Sequence, residues 1–233
     1  MEASPLAARL ATVRERIARA ALAAGRDPSE VRLLLATKTQ PAELVLAALD
    51  ADEAARADDA ALTPALLGEN RVQELVAKGP AVAGRAALHL IGPLQSNKVN
   101  AALRWATCVE SVASLELAQR LSARTDGLDV HVQVNVSGEP TKHGVAPGEA
   151  VALVREVAAL PGLRVTGLMT VGANSPDPDE VRAGYRLLRR LRDEVGDPTV
   201  AELSMGMSGD LELAVAEGAT VVRVGSAVFG SRG

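Results

Sequence analysis

Aromatic residues are scarce in this sequence, and the chain carries no excess of positive charge. Phe229, Trp105 and Tyr185 are the only aromatic residues among 233, and the net charge is −4. Proteins that bind single-stranded nucleic acid combine aromatic side chains with a basic groove, so we expect no nucleic-acid partner. With so few large side chains, the core must be built from Ala, Val and Leu.

Cysteine and long apolar runs are scarce as well. Cys108 is the one cysteine, so the chain can form neither an intrachain disulfide nor a multi-cysteine metal site. The purely apolar runs are far shorter than the roughly 20 residues of a membrane-spanning helix, and no signal-peptide segment opens the sequence. We therefore expect a cytoplasmic protein that is not embedded in a membrane.

Lysine is the third scarce residue type. Of the 25 basic residues only four are lysine, and these are Lys38, Lys78, Lys98 and Lys142. The others are arginine, a bias that a GC-rich genome produces. Because lysine can form a Schiff base and arginine cannot, each remaining lysine is a candidate for chemistry that needs a primary amine.

Helical and strand-like segments alternate along the chain. Residues 1–25 are predicted to form a helix, because Ser4 can cap it and Pro5 suits its first turn. Apolar segments that predict strands lie at 31–37, 65–69, 87–92, 107–112, 129–136, 163–171, 201–206 and 220–225. Segments of helical period lie at 41–50, 71–78, 95–104, 114–124, 147–160, 178–196 and 209–217. Residues 51–64 predict a helical extension or a loop.

This alternation predicts the fold class. Eight strands separated by helices, in a chain near the ~250 residues typical of the fold, predict an α/β protein with a single (β/α)8 TIM barrel. We expect one domain over 1–233, with the barrel at 30–233 and the N-terminal helix added to it. A doubly wound open sheet is the alternative, but neither GxGxxG after an early strand nor GxxxxGK[ST] occurs.

Active sites of such barrels lie where the strands end. Lys38 follows the first strand, and the loops after the seventh and eighth strands read MGMSGD (205–210) and GSAVFG (225–230). Barrels often bind phosphate with these two loops, because glycine lets the backbone approach an anion and serine hydroxyls donate to it. Either loop alone is ordinary turn chemistry, but the pair favours a phosphate site. Lys38 is then either a solvated charge or a Schiff-base lysine.

Other polar residues near the strand ends allow more than one interpretation. Arg223 is either a structural ion-pair partner or a donor aimed at a ligand. The histidines His89, His131 and His143 lack metal-ligand spacing, so we expect structural roles and no metal site. Cys108 is expected to be a small buried apolar residue.

Six segments, taken together and in chain order, resemble the pyridoxal phosphate homeostasis protein family. They are ATKT at 36–39, LGENRVQE at 67–74, HLIGPLQSNK at 89–98, GLMT at 167–170, SMGMS at 204–208 and VRVGS at 222–226, followed by Phe229 and Gly230. The strings GPLQSNK and SMGMS are specific, unlike an isolated glycine motif. The resemblance runs from about residue 30 to the C-terminus.

The resemblance implies a barrel similar to the N-terminal domain of alanine racemase, with pyridoxal 5′-phosphate as cofactor. Seven residues match its cofactor site, with Asn70 and Met205 as further pocket positions: Lys38, Asn70, Met205, Ser208, Arg223, Gly225 and Ser226. By this resemblance Lys38 holds the cofactor as a Schiff base. Ser208, Gly225 and Ser226 lie on the phosphate side, and Arg223 faces the pyridine nitrogen.

Three positions depart from the family's pattern. Leu67 and Leu90 stand where the family often has Phe, which would loosen the local packing. Gly209 stands where the family often has Asp, which would change how the helix after the seventh strand begins. None of the three affects the lysine.

The function implied is intracellular vitamin B6 and amino-acid homeostasis, with pyridoxal phosphate as ligand and apo-enzymes as recipients of the cofactor. We expect a monomer. We also expect no efficient racemase activity, because an arginine at the pyridine nitrogen weakens the ring as an electron sink. The one tyrosine, Tyr185, lies mid-helix and not at the barrel mouth. Two alternatives remain: a cofactor-dependent racemase, and a cofactor-free barrel like a class I aldolase.

Overall fold

The strands form a closed barrel of eight parallel strands, which confirms the predicted fold class. The computed structural model describes residues 4–230, so 1–3 of the predicted helix and 231–233 of the predicted barrel lie outside the described residues. The strands are β1 (Arg32–Ala36), β2 (Leu66–Glu69), β3 (Leu88–Leu90), β4 (Cys108–Val112), β5 (Leu128–Gln133), β6 (Leu163–Met169), β7 (Glu202–Met207) and β8 (Val221–Val224). Each pairs with the next along the chain, and β8 pairs with β1.

Helices follow the strands and cover the outside of the barrel. They are α1 (Pro5–Ala23), α2 (Ala42–Asp58), α3 (Val72–Val82), α4 (Val99–Ala102), α5 (Leu115–Ser122), α6 (Pro147–Ala158), α7 (Pro178–Val195), α8 (Leu211–Ala216) and α9 (Ser226–Phe229). Within residues 4–230, no helix is long and apolar enough to cross a membrane.

In three regions the helices differ from the sequence prediction or decide a point that the prediction left open. The predicted helix 95–104 is reduced to a 3₁₀ turn, Ser96–Lys98, and the short α4, because serine and asparagine compete for nearby backbone groups and disfavour helix interiors. α2 continues to Asp58, so most of 51–64 is a helical extension. No pattern predicts α9, since its four residues are too few to show a period.

The added helix α1 lies against the last helices of the barrel. Ser4 caps it by accepting a hydrogen bond from the Ala7 N–H at 3.2 Å. Its buried face consists of Leu6, Leu10, Val13, Ile17 and Ala21. On its polar side, Arg9 Nε donates to the Val228 carbonyl at 2.6 Å and Arg16 Nη2 donates to the Ser208 carbonyl at 3.1 Å. α1 therefore supports the loops that follow both β7 and β8.

The core has an outer part and an inner part. The outer part lies between the strands and the helices and contains most of the buried Leu and Val. Inside the barrel, Leu34, Leu66 and Val221 form a separate apolar cluster with the partly buried Ala87 and Ile91. Side chains alternate between the two faces of each strand, which separates these two parts.

Candidate functional site

A cavity of about 590 Å³ opens at the carboxyl ends of the strands. That volume is within the range of small-molecule sites, roughly 300–1,000 Å³. Six of the seven predicted site residues line it, namely Lys38, Asn70, Ser208, Arg223, Gly225 and Ser226. The structure thus brings together side chains that are up to 188 positions apart, from Lys38 to Ser226, at one end of the barrel.

Lys38 lies in a tight turn directly after β1. The Gln40 N–H donates to the Thr37 carbonyl at 3.0 Å, so Lys38 and Thr39 occupy the two central positions of the turn. Thr39 has a φ of 65°, in the left-handed region that threonine rarely adopts. The Lys38 side chain is exposed at the cavity, and the turn determines the direction in which it leaves the backbone.

The loops after β7 and β8 lie side by side, as a shared phosphate site requires. The Ala227 N–H donates to the Ser208 hydroxyl at 3.5 Å, which joins the two loops. At Gly225 a Cβ would lie 3.1 Å from the Ala36 carbonyl oxygen, so a glycine allows this close approach to the end of β1. Ser226, at the start of α9, is exposed at the cavity.

Hydrogen bonds to Asp210 also stabilise the loop after β7. The Asp210 carboxylate accepts hydrogen bonds from the Met207 N–H and from the Tyr185 hydroxyl, both at 2.6 Å. The pairing of β7 with β8 shifts register between Ser204 and Met207, and Gly206 within that irregularity has a φ of 90°. Such irregularities redirect side chains next to functional sites.

Met205 does not line the cavity, unlike the other six predicted residues. It is fully buried in the outer core, and Met207, which is 41% exposed, lines the cavity instead. The physical reason is strand alternation: Ser204 points into the barrel, so its neighbour Met205 points toward the helices. The resemblance carried the methionine over without regard to which face of β7 it occupies.

Arg223 is buried beneath the cavity and held by two hydrogen bonds. Its Nη1 donates to the Ser204 hydroxyl at 2.8 Å, and its Nη2 donates to the Thr170 carbonyl at 2.6 Å. Burial lowers the pKa of the guanidinium, and the charge of Glu110 opposes that effect. Arg223 is therefore held by a hydroxyl and a carbonyl and not by a direct ion pair, it lines the cavity, and its role as a donor to a ligand stays a prediction.

The carboxylate of Glu110 supports Arg223 from inside the barrel. It accepts a hydrogen bond from the Ser204 hydroxyl at 2.5 Å and lies 2.7 Å from His89 Nδ1. Burial by itself raises the pKa of Glu110, but the hydrogen bond with His89 and the charges of His131, His89 and Arg223 outweigh burial and lower it to about 2. Glu110 is thus ionised at neutral pH and stabilises the buried guanidinium through Ser204.

The chain matches known proteins over nearly its whole length. The model of the family described as "Alanine racemase, N-terminal domain" matches residues 9–233. A Pseudomonas aeruginosa protein named pyridoxal phosphate homeostasis protein is 43% identical over 237 residues, covering 98% of this chain and 96% of that protein. An Escherichia coli K12 protein of the same name is 36% identical, with 97% of each chain covered. The chain belongs to the pyridoxal phosphate homeostasis protein family.

Solved structures agree with this family membership. The structure of PipY from Synechococcus elongatus with PLP bound has a TM-score of 0.76 and 30% identity, covering 97% of this chain and 100% of PipY. An alanine racemase from Clostridium difficile has a TM-score of 0.74 but only 17% identity, so it shows likeness of fold alone. This chain covers 56% of that racemase.

The one tyrosine of this family member does not line the cavity. Tyr185 is fully buried in α7, and its hydroxyl donates to Asp210. Burial and then the hydrogen bond to the Asp210 carboxylate raise the pKa of the phenol far above its ordinary value of 10.0. Tyr185 therefore supports the loop after β7 and has no exposed oxygen with which to receive a proton from a ligand.

His89, His131 and the cysteine lie in structural positions, as expected, whereas His143 is exposed. His131 Nε2 is 2.8 Å from Glu202 Oε2, His89 contacts Glu110, and Cys108 is buried. His143 lies in a loop at the cavity edge. Among residues 4–230, no group of three or more His, Cys, Asp or Glu side chains is arranged to hold a metal ion.

The residues present fit pyridoxal phosphate, the ligand that the family's name implies. Serine hydroxyls and a closely approaching glycine backbone suit the phosphate, and an exposed lysine amine suits the aldehyde. At Gly209 and Gly230, which also line the cavity, a Cβ would meet no atom within 4 Å, so these loops leave open space. The buried guanidinium of Arg223 provides a fixed donor beneath that space.

Sequence reasoning missed the buried residues that stabilise the cavity-lining segments without lining the cavity themselves. Glu110 stands in the apolar strand CVESV, where a carboxylate could have been recognised as needing a buried partner. Glu69 lies in a segment that carries the resemblance, and Lys78 is one of the four lysines. Neither observation predicted a partner for either residue. Partners across the barrel depend on strand register, which no local pattern contains.

Proposed function

We propose that this chain binds pyridoxal 5′-phosphate in the cavity at the barrel mouth and serves intracellular pyridoxal phosphate and amino-acid homeostasis. The observation that carries the proposal is the meeting of Lys38, Arg223 and the two serine-containing loops around one cavity of about 590 Å³. The names of the relatives and the bound PLP of PipY support it.

Each residue has a distinct role in the proposal. Lys38 would hold the aldehyde carbon as a Schiff base, because its side chain is exposed at the cavity. Ser208, Gly225 and Ser226 hold the phosphate, and Asn70 borders the remaining side. Arg223 faces the pyridine nitrogen. When bound, pyridoxal phosphate supplies an aldehyde that bonds to amines and a ring that can withdraw electrons.

The test of this proposal is trapping of the cofactor on the chain. Purified protein incubated with pyridoxal phosphate is expected to absorb visible light, and borohydride should remove that absorbance and leave a label on the peptide that contains Lys38. Lys98→Met is the matched control and should label like the unchanged protein, whereas Lys38→Ala should not. A label mainly on Lys98 or Lys142 would contradict the assignment. Absence of any absorbance would favour the cofactor-free aldolase-like alternative.

We infer further that the chain carries the cofactor without efficient amino-acid chemistry. The buried position of Tyr185 supports this inference, because a racemase needs a second group that can move a proton on the opposite face. Proton NMR in heavy water tests it. The α-proton signals of Ala, Ser and Glu should persist with loaded protein, and their loss at a rate on the order of 1 per second or faster would contradict the inference.

The remaining parts of the proposal concern the protein's setting. We infer that residues 1–233 form one cofactor-binding domain that acts as a monomer in the cytoplasm and passes the cofactor to apo-enzymes. Light scattering of the purified protein tests the monomer. Transfer is tested in two arrangements. In one, loaded protein and an apo-enzyme are on opposite sides of a dialysis membrane, and in the other they share one compartment. Activation in one compartment that is faster than dissociation of the cofactor from the loaded protein supports direct transfer, and activation no faster than that dissociation contradicts it.

A further inference from the structure

A buried cluster of charged residues lies behind the turn that carries Lys38. We call it the Lys78 cluster, and it consists of Lys78, Glu69, Glu74 and Thr37. Lys78 belongs to α3 and is 7% exposed. Its Nζ donates to Glu69 Oε1 at 2.7 Å, to the Thr37 carbonyl at 2.7 Å and to Glu74 Oε2 at 3.3 Å. An ammonium group has three N–H donors, so each has an acceptor.

The Lys78 cluster holds the peptide groups on both sides of Lys38. The carbonyl of Thr37, which precedes Lys38, accepts the hydrogen bond from Lys78. The N–H of Thr39, which follows Lys38, donates to Glu74 Oε2 at 2.7 Å. Because each peptide group is planar, holding both planes determines the φ and ψ of Lys38. The direction of its Cα–Cβ bond, and hence of its side chain, is set in the same way.

The backbone of this turn needs such support. Thr39 has a φ of 65°, and a threonine in this region is strained and persists only when its surroundings impose it. Thr37 has two further contacts: its hydroxyl donates to Glu69 Oε1, which also accepts from Lys78, at 2.5 Å, and its N–H donates to the Gly68 carbonyl at 3.0 Å. The hydrogen bond from Thr39 to Glu74 therefore acts on the strained residue itself.

Lys78 does not line the cavity, so its amine does not serve a ligand directly. The adjacent Gly79 packs against Trp105 so closely that a Cβ there would overlap the indole, which holds this part of α3 in place. Three converging acceptors suit the compact ammonium group of lysine, whereas the planar fork of arginine does not match them. This explains one of the four lysines in an arginine-rich chain.

We propose that Lys78 is a positioning residue, which fixes the backbone on both sides of Lys38 and so aims the Lys38 amine into the cavity. This inference rests on the proposed function, in which the Lys38 amine condenses with the aldehyde of pyridoxal phosphate: a C=N bond replaces the C=O bond, and the oxygen leaves as water with the two amine protons. It predicts that loss of Lys78 slows bond formation at Lys38 without weakening the contacts that hold the phosphate.

The experiment compares the unchanged protein with Lys78→Met and with Lys98→Met, a matched lysine substitution outside the cluster. Borohydride trapping at timed intervals, followed by mass spectrometry, gives the rate at which Lys38 bonds to pyridoxal phosphate. Binding of pyridoxamine phosphate, which has the phosphate but no aldehyde, is measured in parallel.

Lys78→Met should slow trapping about tenfold or more, since small misplacements of a reacting group have large effects on rate. Its pyridoxamine phosphate affinity should be unchanged, and Lys98→Met should behave like the unchanged protein.

Two further measurements separate positioning from loss of the fold. Lys78→Met leaves the buried Glu69 carboxylate without its cation, so Lys78→Met/Glu69→Gln, which removes both charges, should trap Lys38 just as slowly while remaining folded by circular dichroism. Amide hydrogen exchange of residues 37–40 should speed up in both variants. Unchanged trapping in the folded double variant would overturn the proposal, as would unchanged exchange in this turn.

The same design distinguishes failure of this inference from failure of the proposed function. If the unchanged protein forms no bond at Lys38, the proposed function is wrong. Hydrogen exchange of residues 37–40 in the cofactor-free protein then still decides whether Lys78 holds the turn. If the unchanged protein bonds at Lys38 and Lys78→Met does so at the same rate, the function stands and the positioning role is wrong.

Discussion

The interior of the barrel contains an apolar region and a polar region that are built on opposite principles. In the apolar region, Leu34, Leu66 and Val221 contact one another and need no specific partner. In the polar region, Glu110 and Ser204 each have a specific hydrogen-bonding partner. The apolar region is stabilised in proportion to the area it buries, whereas the stability of the polar region depends on hydrogen bonds between specific partners.

Arg223 shows why the barrel contains both regions. It is two residues beyond Val221 in β8, but its guanidinium reaches Ser204 of β7 and the Thr170 carbonyl after β6. The apolar region therefore supports the strands, and the polar region holds a cation at the floor of the cavity. Changes in the two regions should consequently differ in size, in pH dependence and in their effect on binding.

The largest effect is expected when the polar region loses its carboxylate. Glu110→Ala leaves His89 and Ser204 without their acceptor and removes the charge that stabilises Arg223. Removing one partner of a buried charged network costs about 3–5 kcal/mol of unfolding free energy. Urea denaturation measures the loss. Glu110→Gln keeps the shape and is the control, with a smaller loss, and equal stability of Glu110→Ala and the unchanged protein would refute the role of this network.

A comparable or smaller effect is expected from the apolar region. Leu34→Ala removes a fully buried side chain and leaves a cavity inside the barrel, at a cost of about 2–5 kcal/mol. Leu34→Met nearly conserves volume and should cost less than about 1.5 kcal/mol. Urea denaturation at pH 5 and pH 3 should give the same loss for Leu34→Ala at both values. A pH-dependent loss would mean that the two regions are coupled.

The pH dependence of stability separates the regions more sharply. The pKa of Glu110 is about 2 in the folded protein, below its ordinary value of 4.5, so its stabilising contribution is present above pH 4.5 and is lost as the pH falls toward 2. At about 1.36 kcal/mol per pH unit, the contribution is about 3 kcal/mol, of which about 2 kcal/mol disappears between pH 5 and pH 3. The difference in unfolding free energy between the unchanged protein and Glu110→Gln should shrink by that amount. A constant difference would contradict the lowered pKa.

The smallest effect is expected at the cavity mouth, outside both interior regions. Ser226 is exposed, so Ser226→Ala should leave the unfolding free energy unchanged. Under the proposed function it loses one hydrogen bond to the phosphate, which corresponds to about 0.5–1.5 kcal/mol of binding free energy. Ser226→Asp should weaken binding more, because it adds like charge next to the phosphate. Equilibrium dialysis with pyridoxal phosphate measures both.

The control for Ser226 is Ser29→Ala, in the turn that precedes β1 at the opposite end of the barrel. It should bind pyridoxal phosphate like the unchanged protein. If Ser226→Ala, Ser226→Asp and Ser29→Ala all bind equally well, the loops after β7 and β8 do not hold the phosphate.

Much of the fold could be predicted because the relevant signals are local. The alternation of apolar and amphipathic segments reflects burial of each strand on both faces and of each helix on one face. The positions of Lys38 and Ser226 at the mouth followed from the rule that barrel sites lie at the strand ends. The error at Met205 shows the limit of such reasoning, since family resemblance locates a residue along a strand but does not say which face it occupies.

What the sequence by itself determined is the order of the strands and helices, the barrel and the set of polar groups at its mouth. Only the tertiary structure decided which groups support them. Lys78 meets Thr37 across 41 positions, and Ser204 meets Glu110 across 94. Such pairs depend on the register of neighbouring strands and on the tilt of helices against them. These are properties of the closed barrel as a whole, because a buried polar group needs a partner but does not specify from which strand that partner comes.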